Sequence, residues 1–126
     1  MPKHNLTLGK EGENLAALFL KENGYRILFR NYKTGVGEID IIAKDCDTLC
    51  FVEVKARNSE RFGMPQEAVS KIKQMQVSKA ALQFMKERHL LDNKARFDVV
   101  SILCTESAKK LDLIKNAFEL DESFTP

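Results

Sequence analysis

Gly37-Glu38-Ile39-Asp40-Ile41-Ile42-Ala43 and, after a short polar interval, Leu49-Cys50-Phe51-Val52-Glu53-Val54-Lys55-Ala56-Arg57 are the stretches that decide the fold. Both read as strands, apolar on each parity except at a few charged positions. A carboxylate inside such a strand is costly to desolvate unless something pairs with it. Side chains alternate with period two, so Glu38, Asp40 and Ile42 share one face. Phe51, Glu53, Lys55 and Arg57 share one face of the next run. The interval Lys44-Asp45-Cys46-Asp47-Thr48 reads as a turn. Opposed residues of an antiparallel hairpin lie on the same face. Asp40 opposite Glu53, with Glu38 opposite Lys55, gathers the charges on one side, and a slip of one residue would scatter them.

An Asp followed by Glu-x-Lys one strand later is the constellation a metal-dependent phosphodiesterase needs. Two carboxylates hold a hard divalent cation, Mg²⁺ or Mn²⁺. A lysine sits beside the water to be activated. Glu53-Val54-Lys55-Ala56-Arg57 also reads as a half-exposed strand with Val54 and Ala56 inward and its charges in water. However, Ile42, Leu49 and Phe51 fall on the charged face, which predicts a covered face with charges at its rim.

Before the hairpin, Leu8 to Asn23 reads as a first helix, with Thr7 as its cap and Gly24 at its C-terminal stop. Leu15, Ala16, Leu18, Phe19 and Leu20 give it an apolar face. Glu13 lies at the rim of that face, with Ala16, Ala17 and Leu20. Two readings stand for it: a carboxylate directed at the sheet, or an acid favoured by the helix dipole. Tyr25 to Asn31 reads as a strand, and Thr34-Gly35-Val36-Gly37 as a turn. Asn58 to Pro65 reads as a loop, Gln66 to Arg88 as one or two helices with Ser70 as an internal cap, and Arg96 to Leu103 as a strand. Lys110 to Lys115 reads as a short edge strand. Residues 1–6 and 119–126 read as frayed tails. The order is αβββαββ, a mixed sheet with helices packed on it.

At 126 residues the chain is expected to form one domain, residues 1–126. A net charge of +2 does not announce a nucleic-acid binder, so any basic surface is local. There is no transmembrane run, and Met1 to Lys10 has no apolar signal core, which predicts a cytoplasmic protein with no membrane partner. Cys46, Cys50 and Cys104 suit a reducing compartment, and Cys46-x-x-x-Cys50 without a His or further Cys pair is a weak zinc signal. Arg57, Arg61, Lys71 and Lys73 follow the hairpin and are candidates to grip phosphates. Solvated surface charge is the competing reading of each. Tyr25, Tyr32 and Phe62 are candidates to stack on an unpaired base, with core packing as the alternative.

With these residues in hand, the chain resembles the YraN-like, or UPF0102, family, which is itself similar to archaeal Holliday junction resolvases and the PD-(D/E)XK restriction-endonuclease-like superfamily. The resemblance is carried by Gly9-Lys10-Glu11-Gly12-Glu13, Asn23-Gly24-Tyr25, Arg30-Asn31-Tyr32, Gly37-Glu38-Ile39-Asp40-Ile41-Ile42-Ala43 and Phe51-Val52-Glu53-Val54-Lys55-Ala56-Arg57. Phe62-Gly63, Glu67-Ala68-Val69, Lys73-Gln74, Phe97-Asp98-Val99 and Asn116-Ala117-Phe118 extend it. Ile39 stands where the superfamily motif has proline, as is common among resolvase-like members. The resemblance implies a restriction-endonuclease-like mixed sheet of about five strands flanked by helices. It implies that Asp40 and Glu53 are metal carboxylates, that Lys55 is the catalytic lysine, and that Glu13 is the acid resolvase-like members carry on their first helix. The activity implied is metal-dependent hydrolysis of phosphodiester bonds in DNA, branched, flapped or single-stranded, during repair or recombination. A homodimer would suit a symmetric junction. Two rival readings are a weakly catalytic or non-catalytic nucleic-acid-binding module acting with a partner protein, and a structural protein whose hairpin charges form an ion-pair cluster.

Overall fold

Strand alternation sorts the apolar residues of this chain into two layers, one on each side of a sheet. The computed structural model describes residues 2–57 and 69–120. Along the chain come α1 (Pro2–Glu22), β1 (Tyr25–Lys33), β2 (Glu38–Asp45), β3 (Thr48–Arg57), α2 (Lys71–Glu87), β4 (Ala95–Cys104) and β5 (Lys109–Phe118). The five strands form one sheet in sequence order, β1-β2-β3-β4-β5. Three neighbouring pairs are antiparallel and β3–β4 is parallel. A parallel pair needs a long crossover, and α2 lies within it. The fold is therefore the expected mixed α/β sheet flanked by two helices, in the order αβββαββ.

Consecutive residues of β3 point to opposite layers. Phe51 packs with Val77, Ala80, Ala81, Phe84 and Met85 of α2. Cys50 and Val52 pack with Ala16, Ala17 and Leu20 of α1. The α2 layer is built on aromatic rings: Phe84 meets Phe29, Tyr32 and Phe51 edge-on, and Phe97 stacks on Phe118 with centroids 4.8 Å apart.

Several boundaries differ from expectation. The first helix begins at Pro2 rather than after Thr7; proline suits the first turn of a helix, and nothing in Lys3–Leu6 interrupts one. Ser70 is the N-cap of α2 rather than an internal cap, its Oγ accepting the N–H of Lys73 at 3.1 Å. The expected loop at 58–65 and the first residues of the expected second helix lie outside the described residues, as do 121–126. The last strand runs from Lys109 to Phe118, longer than its charged sequence suggested. Its register against β4 shifts between Phe97 and Val99, with Asn116 in the left-handed region at φ 53°.

The β1–β2 turn is closed by Thr34, whose Oγ1 accepts the N–H groups of Val36 and Gly37. Gly37 then passes directly beneath α2. A Cβ built there would lie 2.8 Å from the carbonyl oxygen of Gln76, a backbone atom that cannot swing aside. Gly35, two residues earlier, faces open space. Gly37→Ala is therefore expected to lose about 1–3 kcal/mol by overpacking, and Gly35→Ala to change stability by less than about 0.5 kcal/mol. Urea unfolding of the two variants checks this; equal midpoints would contradict the close approach of β2 and α2.

Candidate active site

The hairpin register places the acids together, though not by strand pairing. Ile41 pairs with Val52 and Ile42 with Phe51, the register that would set Asp40 against Glu53. The ladder stops at Ile41. Beyond it each carboxylate caps the backbone of the other strand. The Val54 N–H donates to Asp40 Oδ2 at 2.9 Å, and the Asp40 N–H lies 3.5 Å from Glu53 Oε2. The expected Asp40–Glu53 and Glu38–Lys55 ladder pairs are thus replaced by a pocket of two acids in the opened end of the hairpin.

The backbone around Asp40 departs from regular alternation. Ile39 and Ile42 pack in the α2 layer, while Ile41 packs in the α1 layer. On β1, Arg30 pairs with Ile41 and Tyr32 with Ile39. Asn31 therefore lies across from Asp40, and it is in the left-handed region at φ 54°. Asn tolerates that conformation at least cost among residues with a side chain.

Glu53 is fully buried. Its Oε1 is buried and has no hydrogen-bond partner. Lys73 Nζ, from the first turn of α2, lies 3.4 Å from it, at ion-pair distance but without the alignment of a hydrogen bond. Burial first, then the charge of Asp40, pushes the Glu53 carboxyl up to about 7, against the opposing pull of Lys73. Burial also raises the Asp40 carboxyl, opposed by the Val54 hydrogen bond and Lys73, and reinforced by Glu13 and Glu38.

Glu13 reaches Asp40 only through its field. Its Oε1 is 3.9 Å from Arg30 Nη2, which itself donates to Asn14 Oδ1 at 2.8 Å. Among the described residues no three His, Cys, Asp or Glu side chains are grouped closely enough to cage a metal by themselves. Lys55 is half-buried, two residues beyond Glu53 on the same strand. Arg57 ends β3, half-buried, and Lys71 is exposed at the start of α2. Lys73, read as a phosphate grip, is placed on Glu53 instead. Arg61 and Phe62 lie outside the described residues. Tyr25 and Tyr32 are structural: Tyr25 is buried and donates to Asp98 Oδ2 at 2.7 Å, and Tyr32 packs edge-on against Phe84.

Asp98 provides an internal contrast. It too is fully buried, yet its oxygens accept from the Tyr25 hydroxyl, from Arg96 Nε at 2.9 Å and from the Asn116 N–H at 2.9 Å. Arg96 Nη2 continues to Asp45 Oδ2 at 2.6 Å, with Lys115 Nζ 3.1 Å from the same oxygen. No sequence spacing gathers these residues, which come from β1, β2, β4 and β5. An acid inside the apolar run Phe97–Leu103 was the signal for the network. Cys50 beside it is buried, its thiol pushed up to about 12 chiefly by burial, so it stays protonated. Cys46, Cys50 and Cys104 are all free.

The two buried carboxylates define different things. Asp98 completes a closed structural network, whereas Asp40 and Glu53 form an open acid pair at the fork of a hairpin in a mixed α/β sheet. The chain belongs to the UPF0102 family: the sequence model described as "Uncharacterised protein family UPF0102" matches residues 12–102. A UPF0102 protein of Syntrophus aciditrophicus is 51% identical over 116 residues, covering 92% of this chain and 91% of the relative. One of Geobacter metallireducens is 48% identical over 120 residues, covering 95% and 98%. UPF0102 protein GSU0650 of Geobacter sulfurreducens is 48% identical over 118 residues, covering 93% and 92%. No helix among the described residues is long and apolar enough to cross a membrane.

The pH dependence follows from the raised carboxyls. Glu53 binds its proton more tightly folded than unfolded, so its contribution to stability is full below its ordinary value of 4.5 and is lost as pH rises through about 7. The metal-free protein should therefore lose on the order of 1–3 kcal/mol across that window relative to Glu53→Gln. Asp40→Asn keeps an acceptor for Val54 and removes a charge, so it should raise the metal-free melting temperature. Millimolar Mg²⁺ or Mn²⁺ should raise that of the parent but not that of Asp40→Asn. Melting curves of the parent indifferent to both pH and metal would contradict the site.

Proposed function

We propose that the protein is a metal-dependent nuclease that hydrolyses phosphodiester bonds in DNA, with Asp40 and Glu53 as its cation ligands and Lys55 as its catalytic lysine. The observation that carries this reading is the unsatisfied Oε1 of fully buried Glu53 beside a second acid. A buried carboxylate oxygen with no hydrogen bond, faced by the Lys73 ammonium at 3.4 Å, is a standing cost, and a hard cation held by two carboxylates relieves it. The residues fit such an ion: Asp40 and Glu53 would supply carboxylate oxygens, and a backbone carbonyl near Val54 a further donor. Membership of a family resembling resolvases supports the same reading.

A divalent cation held there supplies Lewis acidity toward a phosphate and a more acidic water. The chain's own residues do the rest. Asp40 and Glu53, each fastened to the other strand's backbone, are preorganised rather than gathered on binding. Lys55, on the strand that carries Glu53, orients the attacking water or stabilises the charge that develops on the phosphate. Glu13 tunes Asp40 through its charge, held in place by Arg30. Lys71 and Arg61 are the proposed phosphate contacts. The setting proposed is the cytoplasm.

Branched, flapped, single-stranded and duplex DNA offered with Mg²⁺ or Mn²⁺ tests this. Lys55→Ala should cut turnover by at least about 100-fold while leaving DNA binding nearly intact. Lys71→Glu with Arg61→Glu should instead weaken binding to all sequences and flatten its salt dependence. Binding without cleavage would leave a nucleic-acid-binding module in place of an enzyme. Equal cleavage by Lys55→Ala would end the catalytic reading.

A further inference from the structure

Lys73 stands in an unusual place for a lysine. It is in the first turn of α2, together with Lys71, and no acid balances them there. The positive end of a helix dipole disfavours cations at that position. Ser70 nevertheless holds the Lys73 backbone in the cap, through the Lys73 N–H and the Ser70 Oγ. The side chain is only 29% exposed and its ammonium is 3.4 Å from Glu53 Oε1. Lys55, the lysine expected beside the acids, makes no ion pair with a described residue. Among the described residues Lys73 is the one cation at ion-pair distance from Glu53, and it sits loosely, without hydrogen-bond alignment.

We infer that Lys73 is a placeholder for the cation: in the metal-free protein its ammonium occupies the Glu53 side of the acid pair, and an arriving divalent ion displaces it toward the rim. This rests on the reading of Asp40 and Glu53 as a cation site. The physical reasons are simple. Two acids in a buried fork repel and need positive charge. A flexible four-carbon stem can deliver that charge and withdraw it, as a guanidinium fork fixed by two hydrogen bonds would not. The displaced ammonium would then lie at the rim of the site, where a point charge suits an anionic phosphate. Cation loading and substrate grip would thus be linked through one side chain, and the lysines' unfavourable place at the helix start would have a use.

Competition for one carboxylate makes a quantitative expectation. Titrating Mn²⁺ into the intact protein by calorimetry, without nucleic acid, Lys73→Gln should bind Mn²⁺ about tenfold more tightly than the parent, the equivalent of one charge-assisted contact. Lys71→Gln removes the same charge from the same turn without touching Glu53, and should change affinity by less than about threefold. Lys73→Arg restores a competing cation that withdraws less readily, and should bind Mn²⁺ no more tightly than the parent. Equal tightening by Lys73→Gln and Lys71→Gln would reduce the effect to general electrostatics and overturn the inference, as would weaker binding by Lys73→Gln. If the parent and all three variants bind no Mn²⁺, the cation-site reading falls and this inference with it. Far-ultraviolet circular dichroism of each variant excludes unfolding as the source of any change.

Discussion

The reciprocal capping at the fork of β2 and β3 is the constraint on which the site depends. Asp40 takes the Val54 N–H and Glu53 faces the Asp40 N–H. Each acid therefore satisfies a backbone group that the interrupted ladder would leave unpaired. Opening a hairpin inside a sheet leaves unpaired groups that are expensive away from water. Here the two carboxylates repair the opening they occupy. The acids are thereby fixed relative to one another by backbone geometry, not by side-chain rotamers alone. The left-handed Asn31 across from Asp40 and the broken alternation of Ile39 and Ile41 belong to the same distortion.

The two faces of the sheet show what separates a structural acid from a candidate functional one. Asp98 and Glu53 are equally buried, on adjacent parallel strands. Asp98 is surrounded by a hydroxyl, a guanidinium and a backbone N–H, and the cluster continues to Asp45 and Lys115. Removing a member would break a closed network, which is a matter of stability. Glu53 has one long hydrogen bond, one loosely placed ammonium and an acceptor with no hydrogen bond at all. A buried ion left in that state weakens the fold. Retaining it makes sense where something else binds there.

Much of the fold was legible because its signals are local. The apolar runs of β2, β3 and β4 and the Thr34–Gly37 turn each follow from periodicity within a dozen residues; the α1 face did so in part, since Ala16 and Leu20 are buried as expected whereas Leu18 is exposed and Ala17 is buried with them. The hairpin register was legible too, since only one register gathers Asp40, Glu53 and Lys55. The end of the ladder at Ile41 was not, because it arises from side chains competing with backbone pairing. The role of Lys73 was equally hidden. Its contact with Glu53 depends on how α2 crosses the sheet, a long-range matter that no spacing encodes. Gly37 read as turn chemistry, whereas the structure shows a close approach to Gln76.

The sharing of a divalent cation by Asp40 and Glu53 is proposed from an acid pair whose Glu53 Oε1 lacks a hydrogen bond. Crystals grown with Mn²⁺ and measured on the short-wavelength side of the manganese absorption edge test it most directly. An anomalous peak is expected between the Asp40 and Glu53 carboxylates, with Lys73 withdrawn from Glu53 Oε1. An empty fork, with Lys73 still on Glu53 at millimolar Mn²⁺, would contradict it.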